Sequence, residues 1–118
     1  MNFGGRKWEQ LAESFLHGRG LKTVQRNFHC RMGEIDLIML DGQTLVFTEV
    51  RYRANDAHGS GAESVTVTKQ RRITLAAQNF LHYRKHHPCQ RCRFDVISIG
   101  KEEGQTRINW IQNAFDAS

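Results

Sequence analysis

Long apolar runs, proline-rich stretches and an even set of cysteines are all missing from this chain. No apolar run reaches the roughly 20 residues that a bilayer-spanning helix needs, and no hydrophobic segment of a secretory leader follows Met1. Three cysteines are an odd number, which argues against a secreted framework of paired disulfides and for a reduced, cytoplasmic setting. The one proline, Pro88, closes a helical region. No repeat, low-complexity tract or linker divides the chain, so its 118 residues are read as a single domain, residues 1–118, with one modest core. Acidic residues are the scarcer charge: 12 Asp and Glu against 17 Lys and Arg leave a formal net charge of +5 and a pI near 9.5. That balance favours an anionic partner, nucleic acid foremost, and no membrane.

The most informative stretch runs from Gly33 to Arg53. Gly-Glu-Ile-Asp-Leu-Ile-Met-Leu and Leu-Val-Phe-Thr-Glu-Val-Arg-Tyr-Arg flank Asp-Gly-Gln-Thr, two branched and aromatic runs about a glycine turn, which predicts a β-hairpin. Side chains alternate along a strand, so Glu34 and Asp36 share one face of the first strand, and Glu49, Arg51 and Arg53 share one face of the second. If Asp41 to Thr44 form a four-residue loop, Leu40 faces Leu45, Asp36 faces Glu49 and Glu34 faces Arg51. A slip of one residue would separate the two acids onto opposite faces. Solvated strand ends would explain such acids blandly. Like charges directly opposed are destabilising unless a cation lies between them, however, and paired carboxylates suit Mg²⁺ or Mn²⁺.

Around this hairpin, Trp8, Leu11, Ala12, Phe15 and Leu16 recur at helical spacing and stop at Gly18-Arg19-Gly20. Glu9 lies at the edge of that stripe, where it either complements the helix dipole from the first turn or delivers a third carboxylate. Leu21–Phe28 reads as a strand, and Ala54–Ser64, with Gly59-Ser60-Gly61 and His58, as a polar loop. Val67–Lys85 reads as a second helix with a buried stripe of Ile73, Ala76, Ala77 and Phe80. Its first turns carry Lys69, Arg71 and Arg72, cations that oppose the macrodipole unless an anion is near; a solvated basic face is the alternative. Arg93–Ile99 and a shorter Ile108–Ile111 are the last strands, and Gln112–Ser118 is expected to fray. Cys89-Gln-Arg-Cys92 beside His86 and His87 lacks the second pair of a zinc site, so Cys92 is read as a half-buried small apolar residue.

Helix, three strands, helix, strand and strand, with acids on the first helix and on the second and third strands, resembles the restriction-endonuclease-like superfamily. Its signature is an Asp followed by Glu-x-Lys; here Asp36 and Glu49-Val50-Arg51 match, with Arg for Lys. The chain is more closely similar to the bacterial YraN-like family, related to Holliday-junction resolvases. The pieces that carry this are Gly5-Arg-Lys-Trp-Glu9, Arg26-Asn27, Gly33-Glu-Ile-Asp-Leu-Ile38, Val46-Phe-Thr-Glu-Val-Arg-Tyr-Arg53, Lys69, Arg93-Phe-Asp-Val96 and Asn113-Ala-Phe115. The resemblance implies an α/β fold, a central mixed sheet flanked by helices in the order αβββαββ. It implies a metal-dependent, structure-selective DNA endonuclease with Glu9, Asp36 and Glu49 as ligands of Mg²⁺ or Mn²⁺. Asp36, Glu49 and Arg51 would be catalytic, and Arg51, Arg53, Lys69, Arg71 and Arg72 would meet nucleic acid, branched DNA in particular. A homodimer is compatible with this reading. The competing reading is a nucleic-acid-binding protein of nuclease fold with little or no catalysis, because arginine cannot act as a base.

Overall fold

The computed structural model describes residues 3–53, 65–83 and 91–116. The elements are α1 (Phe3–Gly18), β1 (Lys22–Cys30), β2 (Gly33–Asp41), β3 (Thr44–Arg53), α2 (Val67–Tyr83), β4 (Arg91–Glu102) and β5 (Gln105–Phe115). One five-stranded sheet runs β1-β2-β3-β4-β5. β3 and β4 are parallel across the α2 crossover, and every other neighbouring pair is antiparallel. This is the expected α/β architecture in the order αβββαββ, consistent with a restriction-endonuclease-like core.

The apolar alternation of the strands divides the core in two. Leu45 and Phe47 of β3 join Ile73, Ala76, Ala77 and Phe80 of α2, with Phe80 edge-on to both Phe28 and Phe47. Val46 packs on the other side with Ala12, Leu16, Leu37, Met39, Ile97 and Ile99, the α1 face. The two helices thus cover opposite faces of the sheet, and β3, with both faces covered, reads as a nearly continuous apolar run.

Both helix ends have local causes. α1 closes with Leu21 N–H on the Leu16 carbonyl at 3.1 Å and Gly20 N–H on that of His17 at 3.0 Å, with Gly20 at φ 92°. That is a Schellman stop, and its apolar partners Leu16 and Leu21 share the α1 core. Thr66 caps α2, its hydroxyl accepting the Lys69 N–H at 3.2 Å.

The β2–β3 turn is tighter than expected. Asp41 and Thr44 still pair, so the connection is Gly42-Gln43, with Gly42 at φ 63°. The register survives because Leu40 opposes Leu45 either way. The C-terminal strands are longer than expected, and Gln112–Phe115, read as a fraying tail, belongs to β5. Its anchor is Asp95, fully buried, which accepts hydrogen bonds from Trp110 Nε1 at 2.9 Å, Asn113 N at 2.9 Å and Arg93 Nε at 3.0 Å. Phe115 stacks on Phe94 at 4.9 Å. Cys92 is exposed rather than half-buried. The loop read at residues 54–64 with His58, the end of the second helix at Lys85, and His86, His87, Pro88 and Cys89 lie outside the described residues.

Candidate active site

The ladder between β2 and β3 ends at Leu37↔Thr48. The next residues are Asp36 and Glu49, and there a side chain takes over from the backbone: Asp36 Oδ2 accepts the Val50 N–H at 2.7 Å. The strand also turns over at this point. Ile35 packs in the α2 core and Leu37 in the α1 core, which strict alternation forbids. β1 makes a matching adjustment: Asn27 takes φ 49°, and Arg26 and Asn27 both reach toward α1, to Glu13 and Glu9. These irregularities bring the acidic side chains together.

Glu49 is 4% exposed and shares a hydrogen bond with the Asp36 carboxyl. Burial first, then the charge of Glu49 and the hydrogen bond to it, push Asp36 up to about 8; the Val50 N–H pulls the other way, and the charge of Glu9 adds to the rise. The Glu9 carboxyl is also raised, first by burial and further by Glu34 and Glu49, against a hydrogen bond with Asn27 and the charge of Arg6. Glu9 is not a first-turn acid, since α1 begins at Phe3. Trp8 stacks on Tyr52 of β3 with centroids 4.1 Å apart, which fixes this part of α1 over the site. Among the described residues no group of three His, Cys, Asp or Glu side chains is arranged to hold a metal ion. Asp36 and Glu49 meet directly, and Glu9 acts on them through its field.

Two cations answer this charge. Lys69 Nζ lies 2.8 Å from Glu49 Oε2, and Arg51 lies 3.6 Å from the same oxygen. The approach of Lys69 depends on Gly33. A Cβ there would sit 2.8 Å from the backbone oxygen of Arg72, so glycine lets α2 lie against the start of β2. Glu34, expected to face Arg51, is engaged with His29 at 3.1 Å instead. Arg53 lies at the end of β3, and Arg71 and Arg72 are exposed on α2.

The sequence reading gives Glu13 and Asn27 no role in the site, although Arg26-Asn27 is one of the pieces that carry the family resemblance. Glu13 is 7% exposed and bonded by Arg26 at 2.8 Å and by the Thr23 hydroxyl. Burial alone would raise its carboxyl, but those hydrogen bonds outweigh it and hold Glu13 below the usual range. The adjacent Arg26-Asn27 inside a strand was the available signal. Its meaning needs the position of α1.

Comparison with known proteins places this arrangement in a family. The profile described as "Uncharacterised protein family UPF0102" matches residues 8–99, a span holding Glu9, Asp36, Glu49, Arg51 and Lys69. The chain belongs to that family. A UPF0102 protein of Nitrosospira multiformis is 49% identical over 114 residues, covering 97% of this chain and 93% of its own. UPF0102 proteins of Aeromonas hydrophila and Alcanivorax borkumensis are 55% and 51% identical, each over 94% of this chain and over 83% and 90% of their own. These matches agree with the YraN-like resemblance read from the motifs.

Proposed function

We propose that this UPF0102 chain is a metal-dependent, structure-selective DNA endonuclease that hydrolyses phosphodiesters at the Asp36–Glu49 pair. The observation that carries this reading is the buried contact of the two carboxylates, which pushes Asp36 up to about 8. A buried carboxylate held in its protonated form by burial and by a second carboxylate is a group that a hard divalent cation can relieve. Asp36 and Glu49 fit as two oxygen ligands, and Glu9 deepens the negative field. Mg²⁺ or Mn²⁺ bound there would supply Lewis acidity toward the phosphate and lower the pKa of water. Arg51 would hold a fixed positive charge on the phosphate but could not accept its attacker's proton. Lys69, 2.8 Å from Glu49, supplies the ammonium that the signature tripeptide lacks. It could orient the water or balance charge on the phosphate.

The Lys69–Glu49 ion pair also favours a second reading. An ammonium already neutralising Glu49 suits a nuclease-fold protein that binds nucleic acid with little or no catalysis. Incubating branched and linear DNAs with Mg²⁺ or Mn²⁺ separates the two. The endonuclease cuts at least one branched substrate, and Asp36→Asn loses at least about 100-fold in rate, roughly 3 kcal/mol of transition-state stabilisation. Absence of cutting by the parent on the whole panel leaves the binder.

A further inference from the structure

Next to the carboxylate pair lies a groove of about 700 Å³, walled by the β1–β2 turn and the first turns of α2. Arg31 and Met32 come from the turn, and Lys69 and Arg72 from the helix. Lys69 also holds Glu49, so the groove opens directly beside the proposed reaction centre. Arg31 and Arg72 are exposed, and neither makes an ion pair among the described residues. Glu34, the one acid lining the groove among the described residues, is turned to His29 at 3.1 Å. Two guanidiniums without an ion pair among the described residues focus positive potential on this concave wall, and their planar forks match phosphate oxygens. The end of α2 is not the recognising feature, because the Thr66 hydroxyl already caps it.

The volume exceeds what a phosphate needs and lies in the range of small-molecule sites. Met32, 38% exposed, adds a polarisable apolar surface of the kind that accepts a flat ring. A base stacked in continuous duplex cannot enter such a groove without leaving the stack, whereas an unpaired one can. We propose that the groove binds one nucleotide of an unpaired DNA strand, its phosphate between Arg31 and Arg72 and its base over Met32. The inference rests on the nucleic-acid reading above and names the strand that reading leaves open.

Fluorescence anisotropy in EDTA, with a thymidine homopolymer strand and a duplex of equal length, tests it without catalysis. The variants are Arg31→Ala with Arg72→Ala, Met32→Ala, and the control Arg107→Ala, whose side chain meets Glu102 at 3.8 Å on the β4–β5 hairpin. The double variant should weaken single-strand binding about tenfold, as expected for two lost phosphate contacts. Met32→Ala should weaken it about threefold, within the range of a lost base contact. Duplex binding should fall less, and the control should match the parent. If the double variant fails to melt like the parent, Arg31→Gln and Arg72→Gln singly carry the test. Unchanged single-strand affinity, or an equal fall for strand and duplex, overturns the inference and leaves the endonuclease reading standing. A parent that binds neither DNA overturns the inference, and cleavage of the branched substrates with Mg²⁺ or Mn²⁺ then decides the endonuclease reading by itself. A parent that loses strand binding through these variants yet never cuts DNA upholds the groove and removes the catalysis.

Discussion

Asp36 is the residue on which the chemistry turns, and its ionisation should be visible in the stability of the protein. An unfolded aspartate loses its proton near pH 4, whereas the folded one holds it up to about 8. Between those values the native state carries a proton that the unfolded chain has released. Stability should therefore fall as pH rises through that window and level off above about 8. Asp36→Asn keeps the shape without ionising. Denaturant unfolding in EDTA should find its advantage over the parent growing from pH 4 to pH 8, to on the order of a few kcal/mol. A pH-independent difference would contradict this account. Arg51 offers a second test, since lysine there restores the signature tripeptide. In the endonuclease, Arg51→Lys should keep or raise metal-dependent cleavage, while Glu49→Gln abolishes it and leaves metal-free DNA binding unchanged or tighter.

Between the elements, the decisive contact is α2 on the start of β2. Backbone meets backbone where Gly33 faces Arg72, so an added methyl cannot be accommodated by a rotamer change. Gly33→Ala should cost about 1–3 kcal/mol, the range for overpacking, and should displace Lys69 from Glu49. Gly18 is the internal comparison. Nothing lies within 4 Å of a Cβ there, so Gly18→Ala near the end of α1 should be neutral or stabilising by up to about 1 kcal/mol. Urea unfolding of the two variants would read both effects, and equal responses would refute the close-approach argument.

Across the protein as a whole, charge and topology divide the work. The sheet and its two cores hold Asp36 against the buried Glu49, while Arg31, Arg71 and Arg72 stay exposed. With a formal net charge of +5, DNA affinity should fall steeply and log-linearly with salt through counterion release. Arg71→Ala should weaken binding alike on all sequences and reduce the salt slope by about 1. Titrations at several salt concentrations check this, and salt-insensitive affinity would count against both functional readings.

How much of this could be read in advance depends on the range of the interactions. Hairpin and register are written in a short stretch, because period-two alternation and a glycine turn leave one alignment that buries the apolar faces and sets Asp36 opposite Glu49. The turn-over of the strand at Asp36, which that alternation does not contain, shows only in the structure. The Ile73–Phe80 stripe and the stop after α1 are local for the same reason. β5 was legible only in part: Gln112 and Asn113 look like tail until Asp95 is seen holding Trp110 and Asn113. The arrival of Lys69 at Glu49, 20 residues further along the chain, the field of Glu9 and the groove between the β1–β2 turn and α2 have no local signature. They follow from how closely a helix packs on a sheet. That distance is set by Gly33 and by the turned-over strands at Asn27 and Asp36, so only the tertiary structure could decide it.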